Sequence, residues 1–464
     1  MSGMNENAGT TVAGLVERAR RAMETIADYS QEQVDRLTQA LVWTAVRPEN
    51  AERIARLAVE ESGLGNYDGK YTKLQKKLRG ALRDMTGEKS VGVIAADPVK
   101  GIIKIAKPVG VIGAMIPCTN PEATPVFKAI SAIKGRNAIV MAPHPRTRKT
   151  NALIVTLLRE TLTRYGAPAD LIIGMDEPTL EMSGELMKRC DLILATGGAG
   201  LVQAAYRSGT PAFGVGAGNA VVVVDETADV ADAARKIMLS KTFDYATSCS
   251  ADNAVVAVAS IYDALLGALV GEGGYLVSAQ EKERLQKAMW EDGHLSRHIV
   301  AQPASVIAQR AGIDLPEGKT FLIVPETGIG DAFPFSGEKM SVVMALYRVA
   351  DFDAAVRAVN DITSHQGTGH SCGLHTTRED RVVEIGLRTK VSRIMIRQPQ
   401  CYGNTGNWDN GMPFTMTLGC GTWGGNVTTE NVTWRHLINT TWVSLPIEPK
   451  IPDDAALFAG IDRA

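Results

Sequence analysis

The sequence predicts an α/β protein built as two lobes, and three observations carry that reading. A chain of 464 residues exceeds what a single hydrophobic core normally holds. Between residues 113 and 237, compact apolar runs of buried parallel-strand type alternate with helical stretches. Residues 238–415 then repeat the alternation.

Residues 11–88 read as helical: Leu15, Ala19 and Met23 recur at helical spacing, and Ser30 is placed to cap the next helix. From about residue 90 the pattern changes to short β-type runs broken by Gly and Pro, at 91–95, 102–105 and 109–113. Strand candidates follow at 137–141, 171–173, 192–195 and 220–224 in the first lobe, and at 254–258, 321–324, 342–347 and 393–397 in the second. The stretch 398–432 is rich in Gly, Asn, Thr and Trp, which reads as a functional loop rather than a linker.

Composition excludes several classes of function. With 49 basic and 51 acidic residues the formal net charge is −2, so there is no basic field for nucleic acid or an anionic membrane. No apolar run approaches the roughly 18 residues that span a bilayer, and Met1 to Thr11 lacks the layout of a signal peptide. The six cysteines at 118, 190, 249, 372, 401 and 420 show neither CxxC pairing nor zinc-ligand spacing with histidine, so no metal is expected. Scattered thiols of this kind fit a reducing cytoplasm.

Local chemistry begins at the run 192–195, which passes through Thr196, Gly197 and Gly198 into a helix starting near Leu201. Free N–H groups and the helix dipole at such a junction favour an anion, although Gly also ends strands for purely steric reasons. A second strand end, from Met141 through His144 to Arg146, offers an edge for a ribose.

Taken together, these stretches resemble the aldehyde dehydrogenase superfamily, and most closely its CoA-acylating branch. The resemblance is carried by Pro108–Ile112, Ile116–Pro121, Ala142–Pro145, Ala195–Gly198, Gly214–Asn219, Thr247–Cys249, Phe335–Lys339, Gly367–His370 and Thr417–Asn426, in the family's order and over most of the chain. It implies a doubly wound dinucleotide-binding lobe over 1–237 and a thiol-bearing α/β lobe over 238–418. The segment 419–464 is then expected to return to the cofactor lobe or to a subunit interface. It also implies a homodimer or homotetramer. The alcohol dehydrogenase half of bifunctional relatives is not seen, so a free, single-activity enzyme is expected.

The resemblance assigns roles residue by residue. Cys249 matches the nucleophile, which would form a thiohemiacetal and, after hydride transfer to NADP or NAD, a thioester. Asn120 matches the oxyanion donor. His370 is a candidate proton relay, against the equally ordinary reading of a hydrogen-bonded structural histidine. Pro117, His144, Arg148, Thr196, Gly197, Gly198, Val215, Gly216 and Glu338 are the cofactor-contact candidates, Glu338 matching the residue that holds the nicotinamide ribose. Arg146, Arg148 and Lys149, with no acid between Ala142 and Asn151, favour acceptance of the NADP phosphate.

One departure from the hydrolytic branch is informative. Val215 stands where those enzymes carry the glutamate that activates water, 249 − 215 = 34 residues before the nucleophile. Valine cannot take a proton, so the thioester should wait for the thiol of coenzyme A. The stretch Arg393–Gln400, running on to Pro413, resembles the subgroup acting on sulfoacetaldehyde. On that reading Arg397, Gln398 and Trp408 would receive the sulfonate, because a desolvated anion needs a fixed cation and several donors. The rival readings are a short uncharged aldehyde such as acetaldehyde or propanal, a hydrolytic dehydrogenase releasing free acid, and an inactive scaffold, which Cys249 argues against.

Overall fold

The computed structural model describes residues 2–461. Four helices lead the chain: α1 (Ser2–Thr25), α2 (Gln31–Val46), α3 (Pro48–Ser62) and α4 (Tyr67–Met85). Their ends follow local chemistry. Ser30 and Gln33 form a reciprocal capping box on α2, Gly63 closes α3 in the left-handed region, and the Asn66 side chain caps α4.

An antiparallel pair, β1 (Gly92–Asp97) and β2 (Ile102–Pro108), precedes the first alternating unit. That unit runs β3 (Val111–Ile116), α5 (Thr124–Lys134), β4 (Ala138–Pro143), α6 (Arg148–Arg164), β5 (Ile172–Gly174), α7 (Leu180–Arg189), β6 (Leu192–Thr196), α8 (Ala199–Arg207) and β7 (Ala212–Val215). All its pairings are parallel, in the order β5-β4-β3-β6-β7. The chain leaves β3 toward β4 and later returns to its other side as β6. This reversal opens a crevice at the carboxyl ends of β3 and β6.

The second unit begins with β8 (Val221–Val224), α9 (Val230–Thr242), β9 (Ala254–Val258), α10 (Tyr262–Gly271), β10 (Gly274–Leu276) and α11 (Ala279–Met289). A two-residue hairpin, β11 (Trp290–Glu291) and β12 (His294–Leu295), precedes α12 (Ala304–Arg310). The unit ends with β13 (Phe321–Pro325), β14 (Val343–Val349), α13 (Phe352–His365), β15 (Cys372–His375), α14 (Glu379–Arg388), β16 (Ile394–Ile396) and the short α15 (Gln400–Gly403). Its seven parallel strands lie in the order β10-β13-β14-β9-β8-β15-β16. Finally β17 (Ile438–Ser444) joins β2 antiparallel, completing a three-stranded sheet.

Two hydrophobic clusters underlie this division, one on the five-stranded sheet and the leading helices, one on the seven-stranded sheet. They correct the lobe boundary expected at 237. Strand β8 pairs with β9 and β15, so the two sheets part between Val215 and Val221. The four-valine run fits a buried parallel strand in either sheet, and its composition carries no partner preference. The segment after 418 touches both units. Arg393 binds the carbonyls of Gly419 and Thr429, whereas Val432, Trp434 and Leu437 join the first hydrophobic cluster.

Among the described residues, no helix is long and apolar enough to cross a membrane, and no group of His, Cys, Asp and Glu is placed to hold a metal ion.

Candidate active site

Residues 216–220 join the carboxyl end of β7 to the amino end of β8, so the crevice of the first unit faces the amino ends of the second sheet. Cys249 lies there, on the loop before β9. Gly218 makes the approach possible: a Cβ at this position would sit 2.0 Å from the Cys249 carbonyl oxygen. Ahead of the loop, Asp244, Tyr245 and Ala246 all have positive φ, of 49°, 50° and 62°. Three successive non-glycine residues in the left-handed region cost on the order of 1–2 kcal/mol each, so the surrounding contacts must enforce the turn.

The Cys249 Sγ is 3.1 Å from His370 Nε2, and His370 Nδ1 is 2.9 Å from Ser371 Oγ. His370 is fully buried at the amino end of β15, behind Gly369. Gly369 has φ 81°, and a Cβ there would lie 1.9 Å from the Cys420 carbonyl oxygen. Burial, and then Glu338 nearby, push the Cys249 thiol up to about 12. Burial, and then Arg393, push His370 down to about 3. At neutral pH the pair is therefore a thiol beside a neutral imidazole. With Nδ1 carrying the ring proton and donating to Ser371, Nε2 is free to accept the thiol proton.

Asn120 follows β3 and belongs to the same site. Its Nδ2 lies 3.4 Å from the Thr247 carbonyl, two residues before the thiol, and its Oδ1 accepts from Lys73 Nζ at 2.5 Å. Glu338 also arrives here: Oε1 accepts from Gly218 N at 3.1 Å, and burial raises the carboxyl to about 8, so it is protonated at neutral pH. The loop carrying Glu338 is held from below by Asn219, which donates to the Ser336 carbonyl, and by Asn253, which donates to the Gly337 carbonyl.

The cofactor candidates gather on the crevice. Pro117, His144, Thr196 and Val215 stand at or just past the carboxyl ends of β3, β4, β6 and β7. Thr196 Oγ1 is buried without a hydrogen-bond partner, and Gly198 begins α8 without a side-chain cap. A pyrophosphate fits this place, where first-turn N–H groups are free and added Cβ atoms at Gly198 and Gly216 would meet nothing within 4 Å. His144 Nδ1 accepts from Arg146 N, and burial with the Arg146 charge lowers its pKa, keeping it neutral.

The absence of acids near Arg148 does not survive folding, because two arrive from elsewhere. Glu61 accepts from Lys149 N and Thr150 N at 2.7 Å each, and Glu177 pairs with Arg148 at 3.2 Å. The Arg148 pair is exposed and contributes about 0–1 kcal/mol.

The three residues assigned to a sulfonate are not brought to the thiol. Arg397 follows the carboxyl end of β16, where it binds the Thr376 carbonyl and pairs with Glu379. The thiol faces the amino end of that sheet, four residues and roughly 13 Å back along the strand. A strand ending in arginine shows the residue without showing which end of the sheet holds the site. Gln398 accepts from Asn410, and the half-exposed Trp408 packs against Phe414 and the Arg83 guanidinium, which lies ten residues beyond Lys73 on α4. The cation beside the thiol is instead Arg393, at the opposite end of the same strand segment. It is buried, binds the carbonyls of His370, Gly419 and Thr429, and pairs with no carboxylate among the described residues.

Sequence reasoning also missed Lys70, Lys73, Glu122 and Asp244, which surround the Asn120 turn. On a helix with alternating charges, Lys70 and Lys73 look like solvated surface. Only their spacing of three, which puts both on one face, distinguishes them.

Residues 3–283 match the model of the aldehyde dehydrogenase family. A sulfoacetaldehyde dehydrogenase (acylating) of Bilophila wadsworthia is 46% identical over 446 residues, covering 95% of this chain and 96% of that protein. A sulfoacetaldehyde dehydrogenase of an Acholeplasma species is 44% identical over 452 residues, 96% of this chain and 93% of that one. Among solved structures, an acetylating aldehyde dehydrogenase from Geobacillus thermoglucosidasius superposes with a TM-score of 0.93 at 35% identity, covering 97% of this chain and 99% of that chain.

Proposed function

The chain belongs to the aldehyde dehydrogenase family, and from that premise we propose that it oxidises sulfoacetaldehyde through a thioester on Cys249 and passes the acyl group to coenzyme A. The observation that carries the chemistry is the 3.1 Å contact between Cys249 Sγ and His370 Nε2, in a site where residue 215 is valine. His370 takes the thiol proton as sulfur attacks the carbonyl carbon, and the Asn120 amide donates to the alkoxide that forms. A nicotinamide cofactor, NAD or NADP, bound over Thr196, Gly197, Gly198 and Gly216 supplies the acceptor for the hydride.

The resulting thioester meets no carboxylate base at position 215, and Glu338 is protonated at neutral pH. Water is therefore not activated from either place. Once His370 has released that first proton to solvent, the thiol of coenzyme A gives its proton to the neutral ring, its sulfur attacks the acyl carbon, and Cys249 leaves as the thiolate and takes the proton back from His370.

The sulfonate assignment is supported by the names of the relatives and by Arg393, a buried cation without a carboxylate partner beside the thiol. A homo-oligomer is part of the proposal. The tail after β17 exposes Leu445, Ile447, Ile451, Leu457 and Phe458 beside an unpaired sheet edge.

Mixing enzyme, aldehyde and cofactor without coenzyme A should release one equivalent of reduced cofactor per Cys249 and then stop. Adding coenzyme A should start continuous turnover, and Cys249→Ala should show neither phase. Steady turnover to free acid without any thiol would overturn the acyl transfer. A preference for acetaldehyde or propanal over sulfoacetaldehyde at equal concentration would overturn the substrate and leave the transfer standing.

A further inference from the structure

Four ionic side chains lie buried beneath the site without touching the position of the reacting atoms. Lys70 and Lys73 project from one face of α4, Glu122 follows the Asn120 turn, and Asp244 begins the left-handed turn before Cys249. All four are at most 5% exposed. Lys73 Nζ is 2.5 Å from Asp244 Oδ2, 2.5 Å from Asn120 Oδ1, 3.0 Å from Glu122 Oε1 and 3.3 Å from Thr247 Oγ1. Lys70 Nζ is 2.5 Å from the Thr119 carbonyl and 2.9 Å from Asp244 Oδ2. The other Asp244 oxygen accepts from Asn66 N at 2.8 Å, at the head of α4. One carboxylate thus joins the helix, the nucleophile loop and, through two ammonium groups, both the backbone and the side chain of the oxyanion turn.

The two ends of an asparagine amide are nearly equal in size, so shape alone does not fix which one faces a substrate. An ammonium group only donates, so the Asn120 atom facing Lys73 must be the oxygen. The NH₂ group then points the other way, donating to Thr119 Oγ1 at 3.3 Å and, toward the thiol loop, to the Thr247 carbonyl at 3.4 Å. From this we infer that Lys73 is a positioning residue for the oxidation step: its ammonium, held by Asp244 and Glu122, locks the Asn120 amide with its donors toward the developing alkoxide. A hydrogen bond to a charged donor favours that orientation over the flipped one on the order of 10- to 100-fold. Two ammonium groups against two carboxylates leave the cluster neutral, so it is buried without an uncompensated charge. Burial opposes the Lys73 charge, but Asp244 and Glu122 outweigh it and hold the pKa above the ordinary lysine value.

The inference rests on the reading of Asn120 as oxyanion donor, and the test separates the two. The full-length enzyme is mixed rapidly with aldehyde and cofactor without coenzyme A, and the rate of the stoichiometric burst is followed. Asn120→Ala should slow it by about 10²–10³-fold. Lys73→Met should slow it by about 10- to 100-fold. The double variant should be no slower than Asn120→Ala alone, because without the amide there is nothing left to orient. Alkylation of Cys249 by iodoacetamide should stay within about twofold of wild type in Lys73→Met, a readout that a collapsed loop would shift.

If Lys73→Met does not fold, Lys73→Met/Asp244→Asn restores the charge balance and should show the same slowing. A wild-type burst in either Lys73 variant, or losses that multiply in the double variant with Asn120→Ala, would overturn the role of Lys73. A wild-type burst in Asn120→Ala would instead overturn the oxyanion assignment on which it stands.

Discussion

On the proposed mechanism His370 and Cys249 start the reaction as neutral partners, and this shapes their response to pH. With the thiol pushed up to about 12 and the imidazole down to about 3, neither resting group changes its protonation state between those values. Transfer within the pair is independent of bulk pH, so the wild-type burst rate should be flat from about pH 4 to 7. In His370→Ala the thiolate must form by direct ionisation. The burst should then fall by about 10²–10⁴-fold and climb about tenfold per pH unit. A flat profile in that variant, read by stopped-flow absorbance, would remove His370 from the proton path. Cys249, Asn120 and Glu338 were singled out by motif context, and the fold brings all three to one place. Lys73 and Asp244 were not. Their roles depend on a contact across 171 residues, and each alone is an ordinary surface-type residue.

Among the elements, α4 contacts the Asn120 turn through Lys70 and Lys73, and Gly69 lets it approach the nucleophile loop. An alanine Cβ there would lie 2.5 Å from the Asp244 Cβ and 2.8 Å from its Cα. Helix propensity favours alanine over glycine by about 1 kcal/mol, while overpacking against a fixed neighbour costs about 1–3 kcal/mol. Backbone cannot swing aside as a long side chain can, so the second effect wins. Gly69→Ala should lower the thermal midpoint and slow the burst together. A midpoint raised by the substitution would mean that α4 and the nucleophile loop are not locked. The long apolar strands were readable because their runs are continuous. Strands β7, β10, β11, β12, β15 and β17 were not: β15 reads Cys-Gly-Leu-His, too short and mixed to show a period, and is a strand because β8 and β16 flank it.

At the scale of the whole molecule, burial of neutral imidazoles ties stability to pH. Burial lowers His370 to about 3 and His375 to about 4, against an ordinary value of 6.5. Below that ordinary value the unfolded chain binds protons that the folded one refuses. Their contribution is complete above about pH 6.5 and is lost as pH falls toward 4. The thermal midpoint should therefore drop steadily from pH 7 to 4, and less steeply in His375→Gln. An equal slope in both proteins would exclude His375 from the effect. Ending the chain after Ser444 removes the exposed apolar tail and should reduce the proposed oligomer to a smaller species by light scattering. An unchanged mass would place the subunit contact elsewhere. The two-lobe plan was legible, but the division between lobes was not, since sheet membership depends on pairing across distant segments.

Valine at position 215 also has a thermodynamic consequence. Cleavage of a thioester by water is strongly downhill and would release the energy of aldehyde oxidation as heat. Exchange of one thiol for another leaves the acyl bond nearly as reactive as before. The proposed transfer thus keeps the driving force of the oxidation in its product, which allows traffic in both directions. Acyl-CoA and reduced cofactor supplied to the same enzyme should give back aldehyde, with free coenzyme A accumulating in step. A Val215→Glu variant that gains hydrolysis should lose that reverse flow, turning a two-way exchange into a one-way drain.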